Sequence, residues 1–357
     1  QRQMCIRDRN LGTRITDAPF VIGVGPGFYA GKDCHCVIET KRGHTLGNVI
    51  WEKEAIPNTG VPGNIGGFTT ERLIRASADG IMEPVAEIGD TVEKGQLVAR
   101  TGKQPVYAKM SGIVRGMLQK DVQVTEGLKI GDIDARCEPE HCGTISDKAR
   151  AVGGGVLEAV SLFGQIYGNY GVALLAAGEA KRFGSDKLSE KFQGIPLYRH
   201  ALEKLEAFSG LSRVVVTARE ALAEEAQRLG IHIVENRQPE QGISHSVSLA
   251  LQELLSQNPD LEGVLFLVCD QPGIQAATIQ KILNEGCLHK NSIVCAGYDG
   301  MRGNPVLWGS TYFQELMHLT GDTGGRQLMK QYEEKIRIVE CAPEELKDID
   351  RREDMTE

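Results

Sequence analysis

The chain has 357 residues, 41% of them hydrophobic and 25% charged, with a formal net charge of −8. That length predicts two domains rather than one, and the composition is that of a folded globular protein. The acidic balance argues against a broad nucleic-acid surface, and no apolar run reaches the roughly 18 residues of a membrane span, so neither nucleic acid nor membrane is an expected partner.

In chain order, the first nine residues, QRQMCIRDR, lack the apolar core of a secretory signal. MCIRDR reads as translated sequencing-adapter sequence, and residues 1–9 are set aside. Residues 1–155 hold 23 of the 42 glycines, which places a domain boundary at Gly153-Gly154-Gly155, with a linker over 156–170. Within residues 10–155, GVGPG (Gly23–Gly27) is either a backbone anion nest or a plain turn. Cys34-His35-Cys36 and Cys137 with His141-Cys142 are soft-ligand clusters suited to zinc or another thiophilic species. Their spacing matches no known finger, and buried structural thiols with a capping histidine are the equal alternative. Cys269, Cys287, Cys295 and Cys341 stand among apolar or helical neighbours, which suits reduced thiols and a cytoplasmic setting.

An internal repeat runs over about 76–133. At an offset of 32, Gly80 matches Gly112, Ile81 matches Ile113, Val92 matches Val124, and Gly95 matches Gly127. Each unit reads as short strands joined by a glycine turn, and two units would interleave into one small mainly-β sandwich. The pattern resembles the barrel-sandwich of biotinyl and lipoyl carrier domains. The hairpin RTGKQPVYAKMSG is too short for a lipoyl hairpin and has no acidic residue beside lysine, so Lys103 and Lys109 read as solvated side chains.

From residue 171 the pattern alternates strand and helix. Apolar runs VALLAA, RVVVT, IHIV, GVLFLVCD and SIVCAG are separated by amphipathic stretches at Leu197–Phe208, Ala221–Leu229, Ser244–Leu255 and Ala276–Gly286. This predicts an α/β, Rossmann-like doubly wound sheet with ligands at the carboxyl ends of its strands. After the first run, Ala176-Ala177-Gly178 begins a glycine turn followed by Arg182 and Lys187, a backbone-and-cation cradle for a polyphosphate; two plain surface charges are the alternative. Asp270 closes the fourth run, where a carboxylate needs a cation or polar ligand, here Mg2+ bridging phosphates, unless it caps the next helix. Gly242, Ser244 and Ser246 mark a helix start that suits an anion. Arg302 and Asn304 stand in a loop suited to a second substrate, and Gly325 and Arg326 at another helix start. Asp348, Asp350 and Asp354 form an acidic tail from which one carboxylate could complete a metal site.

In order, LAAG-x-x-x-R-F-G-S-D-K-L, G-I-S-x-S, C-D-Q-P, R-G-N-P-V-L, G-D-x-G-G-R and D-I-D resemble the MobA-like nucleotidyltransferases, nearest their molybdenum cofactor cytidylyltransferase branch. The resemblance, over about 171–357, implies transfer of a nucleotide from CTP to the molybdopterin cofactor with release of pyrophosphate. It implies Ala176, Ala177 and Gly178 as base and phosphate contacts, Arg182 and Lys187 as triphosphate ligands, Asp270 as the Mg2+ ligand and Asp350 as a second one. Ala177 suggests CTP, since guanylyl relatives usually carry Gly-Gly. Ala180 and Asn304 depart from the serine and histidine of many cytidylyl relatives. Residues from about Arg9 through EHCGTISDKARAVGGGVLEAV resemble the YqeB-type accessory proteins of selenium-dependent molybdenum hydroxylases, which implies a preceding segment, a role in hydroxylase maturation and a client hydroxylase as partner.

Overall fold

The computed structural model describes residues 10–58, 64, 66–136, 138–178, 183 and 186–356. Short strands open the chain. β1 (Ile22–Val24) and β3 (Cys36–Ile38) pair in parallel, β4 (Val49–Ile50) joins β3 antiparallel, and β2 (Tyr29–Ala30) pairs with β5 (Lys53–Glu54). The two-residue period of β3 divides its side chains: Cys36 and Ile38 pack with Ala159, while Val37 packs with Ala30, Cys34 and Ala55.

The repeat folds as two four-stranded antiparallel sheets around one core that includes Met82, Val98, Val114 and Ile130. Its strands are β6 (Leu73–Arg75), β7 (Gly80–Pro84), β8 (Thr91–Val92), β9 (Leu97–Thr101), β10 (Gln104–Tyr107), β11 (Gly112–Met117), β12 (Gln123–Val124) and β13 (Lys129–Asp134). The units exchange edges: β12 of the second pairs with β7 of the first, and β8 of the first with β11 of the second. Gly80 and Gly112, equivalent in the repeat, both have left-handed φ (140° and 154°), and a Cβ on either would meet backbone at 2.4 Å. Only glycine fits there.

Helix α1 (Asp147–Ile166) starts at Ser146, whose Oγ accepts the Ala149 N–H at 3.1 Å. It runs through Gly153, Gly154 and Gly155, so this glycine run is helix interior, and residues 156–166 of the expected linker are its second half. The reason is contact: a Cβ on Gly155 would lie 2.0 Å from Gly47 O, so glycine there admits another backbone.

The second layered unit begins at β14 (Tyr170–Leu175). Its other main strands are β17 (Ser212–Thr217), β18 (His232–Glu235), β19 (Gly263–Val268), β20 (Ile293–Tyr298), β21 (Met301–Gly309) and β22 (Ile336–Glu340), and a small hairpin is made by β15 (Lys191–Phe192) and β16 (Ile195–Pro196). The seven-stranded order is β18-β17-β14-β19-β21-β20-β22. All pairs but those of β21 are parallel. β21 runs back because Asp299 and Gly300, both at positive φ (48° and 78°), close a two-residue hairpin with β20. Helices α2 (Leu197–Glu206), α3 (Glu220–Arg228) and α5 (Ala276–Leu288) cover one face, and α4 (Ile243–Gln257) and α6 (Phe313–Met317) the other. A short α7 (Arg326–Gln331) precedes β22. All six β14 residues are buried, as a strand covered on both faces requires. Among the described residues, no helix is long and apolar enough to cross a membrane.

The two parts pack together. Phe20 stacks on Phe163 (ring centroids 4.5 Å apart), His35 Nε2 bonds Ala207 O at 2.7 Å, and Gly31 lies against Ala277, where a Cβ would come within 2.4 Å.

Candidate active site

In the parallel register Leu175 lies beside Val268, so the segments after β14 and β19 leave the sheet side by side. They open into a cavity of about 420 Å³. Ala176, Ala177 and Gly178 form one wall, Cys269 and Asp270 another, and Gly242, Ile243 and Ser246 at the start of α4 a third. Lys187, Asp350 and Asp322 complete it.

Lys187 stands on a one-turn 3-10 helix, Lys187–Ser189, and its side chain is only 11% exposed. Its Nζ donates to Asp270 Oδ2 at 3.0 Å and lies 3.7 Å from Asp350 Oδ1. Three charged residues spread over 163 positions of sequence therefore meet. The acidic tail is pinned there by its middle residue: Ile349 is buried, and its N–H donates to Asp270 O at 2.8 Å. Asp348 accepts from Gln271 Nε2 at 2.8 Å, and burial, then the charge of Asp270, push its carboxyl above the usual range.

Asp270 and Asp350 already share one cation, the Lys187 ammonium. Among the described residues no group of three or more His, Cys, Asp or Glu side chains is arranged to hold a metal ion by itself. Two carboxylates on one cation are a donor set that a divalent ion could share with oxygen atoms of a substrate.

At the start of α4, Gly242 (φ 83°) is the N-cap and offers no side chain to the helix. Ser244 is fully buried, and its Oγ finds no hydrogen-bond partner among the described residues. Ser246 Oγ accepts from Asn236 Nδ2 at 3.0 Å.

Four of the remaining predicted residues lie elsewhere. Arg182 is outside the described residues. Arg302, on β21 rather than in a loop, pairs with Glu333 at 2.9 Å, and Asn304 precedes a cis bond to Pro305. Gly325 packs against Trp308, where a Cβ would come within 2.4 Å, and Arg326 is exposed. None of these four lines the cavity.

Cys34, His35 and Cys36, expected either as soft ligands or as structural thiols with a capping histidine, lie in the core. All three are buried, Val21 N–H donates to His35 Nδ1 at 2.9 Å, and the other ring nitrogen is engaged by Ala207 O. Burial pushes the Cys34 and Cys36 thiols up to about 11 and about 12. These are core residues. His141 Nε2 pairs with Glu138 at 2.6 Å and Cys142 Sγ lies 3.7 Å from Val114 O, while Cys137 is outside the described residues.

Sequence reasoning missed Arg219, Asp322 and Glu240. The latter two line the cavity; Arg219 bonds the carbonyls of Ala176 and Gly178. Exposed acids in loops carry no signal of their own, and an arginine that binds backbone carbonyls leaves none in its partners.

With this geometry established, comparison with known proteins gives the class. Residues 172–336 match the family model described as MobA-like NTP transferase domain. The chain carries a MobA-like nucleotidyltransferase domain. It is also homologous to "Uncharacterized protein YqeB" of Escherichia coli (strain K12), 52% identical over 166 residues, which are 45% of this chain and 31% of that protein. The chain is thus a fusion of YqeB-like and MobA-like sequence, and it spans less than a third of that relative's length. "Purine catabolism protein PucB" of Bacillus subtilis (strain 168) is 28% identical over 168 residues, covering 44% of this chain and 78% of that protein. A "Probable molybdenum cofactor guanylyltransferase" of Thermococcus gammatolerans is 37% identical over 62 residues, 17% of this chain and 32% of that protein.

Proposed function

We propose that the MobA-like domain moves CMP from CTP onto the terminal phosphate of the molybdopterin cofactor and releases pyrophosphate. The observation that carries this reading is the meeting of Lys187, Asp270 and Asp350 beside Ala176, Ala177 and Gly178 at the mouth of the sheet. A cation and two carboxylates at the end of a buried strand suit a triphosphate with its metal; a pure cofactor carrier needs no such site.

In this reading Ala176, Ala177 and Gly178 contact the base and phosphates, and Arg182 and Lys187 hold the triphosphate. Gly242, Ser244 and Ser246 offer the amino end of α4 to an anionic group. Arg302, Asn304, Gly325 and Arg326 are assigned to the second substrate by resemblance alone. An oxygen of the acceptor phosphate attacks the α-phosphorus in line, the bond to the α–β bridging oxygen breaks, and pyrophosphate leaves with the electron pair. The attacking oxygen is already ionised at neutral pH, so no general base is needed. Lys187 faces the charge that develops on the leaving group. Mg2+ held by Asp270 and Asp350 would supply further charge neutralisation when bound.

The YqeB-like part is assigned to maturation of a client molybdenum hydroxylase, on the resemblance of its motifs. Its two edge-exchanging sheets support the likeness to the barrel-sandwich of carrier domains. The relative named as a guanylyltransferase makes GTP the competing donor. Pyrophosphate release in the presence of Mg2+ and molybdopterin, with CTP, GTP and ATP in parallel, tests the reading. CTP preference supports it, GTP preference reassigns the base, and silence with all three refutes it.

A further inference from the structure

Asn236 stands one residue beyond β18, outside the motifs read in the sequence. It is fully buried and joins three elements. Its backbone N–H donates to Thr217 O at 3.1 Å, at the carboxyl end of β17. Its Oδ1 accepts the Gln238 N–H at 2.9 Å, which opens the turn that leads through Pro239 and Glu240 to α4. Its Nδ2 donates to Ser246 Oγ at 3.0 Å, in the first turn of that helix.

These bonds fix which end of the amide is which. A backbone N–H can only donate, so the atom that faces Gln238 is the oxygen and the atom that faces Ser246 is the nitrogen. The amide therefore fills a lone pair of the Ser246 oxygen and leaves the single hydroxyl proton to point elsewhere. Among the described residues no acceptor takes that proton, and Ser246 lines the cavity. The cavity is short of donors. Among its described lining residues one ammonium, Lys187, stands against the carboxylates of Glu240, Asp270, Asp322 and Asp350. In such surroundings an outward lone pair would repel an incoming oxygen, whereas an outward proton would hold it.

We propose that Asn236 is a positioning residue that sets the polarity of Ser246. With its lone pair engaged, the hydroxyl acts as a donor and takes an acceptor oxygen of the nucleotide. A phosphate oxygen and a base carbonyl share that chemistry; an amine, itself a donor, is refused. The nucleotide as ligand rests on the function proposed above, and the orientation of the hydroxyl does not.

The test is a double-mutant cycle on binding, with Asn236→Asp, Ser246→Ala and the two combined, each shown to be folded by its melting temperature. Asn236→Asp keeps the acceptor for Gln238 but turns the donor toward Ser246 into an acceptor, which draws the serine proton back from the cavity. In calorimetric titration with CTP and Mg2+, Ser246→Ala should weaken binding about tenfold, the worth of one hydrogen bond to a charged group. Asn236→Asp should weaken it about thirtyfold, because it adds a buried charge to the lost donor. In the Ser246→Ala background the same change should cost about threefold or less, the part owed to that charge alone. If Ser246→Ala binds CTP as the wild type does, or if Asn236→Asp costs the same factor in both backgrounds, the proposal is overturned. Where Asn236→Asp does not fold, Asn236→Ala goes through the same cycle under the same criterion. Inorganic triphosphate, titrated in parallel, locates the oxygen: a loss in Ser246→Ala that it shares assigns a phosphate oxygen, and a loss confined to CTP assigns the base carbonyl. Should the wild type bind inorganic triphosphate with this dependence on both residues but no CTP, the proposed function fails and the donor stands. Binding of neither overturns both.

Discussion

Lys187→Met removes the cation from between Asp270 and Asp350. At 3.0 Å and an effective dielectric of about 20, the Lys187–Asp270 attraction is roughly 5 kcal/mol before desolvation and side-chain entropy are subtracted. The Lys187 side chain is 11% exposed and that of Asp270 31%, so the pair is neither a surface bridge nor a sealed one. A net loss of about 2 kcal/mol follows, in the range of a charged hydrogen bond. For a domain of this size the melting temperature should fall by about 4–8 °C when measured by calorimetry in EDTA. The same variant leaves two carboxylates facing each other, with Asp348 behind them. A divalent ion can then take the ammonium's place, so MnCl2 should raise the melting temperature of the variant more than that of the wild type, where lysine competes. At ten times its Kd the ion returns about 1.4 kcal/mol. A variant that melts with the wild type and gains nothing from Mn2+ would show that these charges do not form a cation site.

The remaining expectations concern the scaffold and its charges. In α1, Gly154→Ala meets open space and should stabilise by about 1 kcal/mol through helix propensity, whereas Gly155→Ala drives a Cβ into Gly47 O and should cost about 3 kcal/mol; urea melts compare them, and equal effects would refute a continuous helix packed on the Gly47 loop. Asp134 is held well below the usual carboxylate range, first by its hydrogen bond to Arg136. Its folded pKa is depressed, so its stabilisation is present above the unfolded value and lost as pH falls; Asp134→Asn should cost about 2 kcal/mol at pH 7, and the gap should narrow below about pH 4. For Asp348 the sign is opposite. Its carboxyl is raised, so the wild type loses stability as pH rises through the folded pKa, and Asp348→Asn, which keeps an acceptor for Gln271, should be the more stable form at pH 7 and lose that advantage in acid. A pH-independent difference in either variant would contradict the assignment.

Much of the second unit was legible because its strands are buried on both faces and so read as apolar runs. β14 and β19 stand out in this way, and the carboxylate at the end of β19 identified itself as costly without a partner. The reversal of β21 is hard to read from the sequence, although Asp299-Gly300 is a hairpin signal, because the residues that follow equally suit a substrate loop. The glycine run misled for a physical reason: glycine weakens a helix, and only the partner at Gly47, more than a hundred residues earlier, explains why one belongs there. Similarly, the cluster Cys34-His35-Cys36 has the composition of a metal site, and only burial and the bonds to Val21 and Ala207 reveal a core. Lys187 and Asp270 lie 83 residues apart, and their meeting depends on β14 and β19 being neighbours, which strand order decides and local pattern does not. Arg219 was invisible because its partners include two backbone carbonyls, which no residue type encodes.

The most direct measurement is pyrophosphate release by purified protein with Mg2+, molybdopterin and each nucleoside triphosphate in turn, repeated with Asp270→Asn. The account predicts release with CTP above GTP and ATP, and a loss of about a hundredfold or more in the variant, since the carboxylate that meets Lys187 is gone. Release that survives in Asp270→Asn, or none from the wild type with any nucleotide, would contradict it.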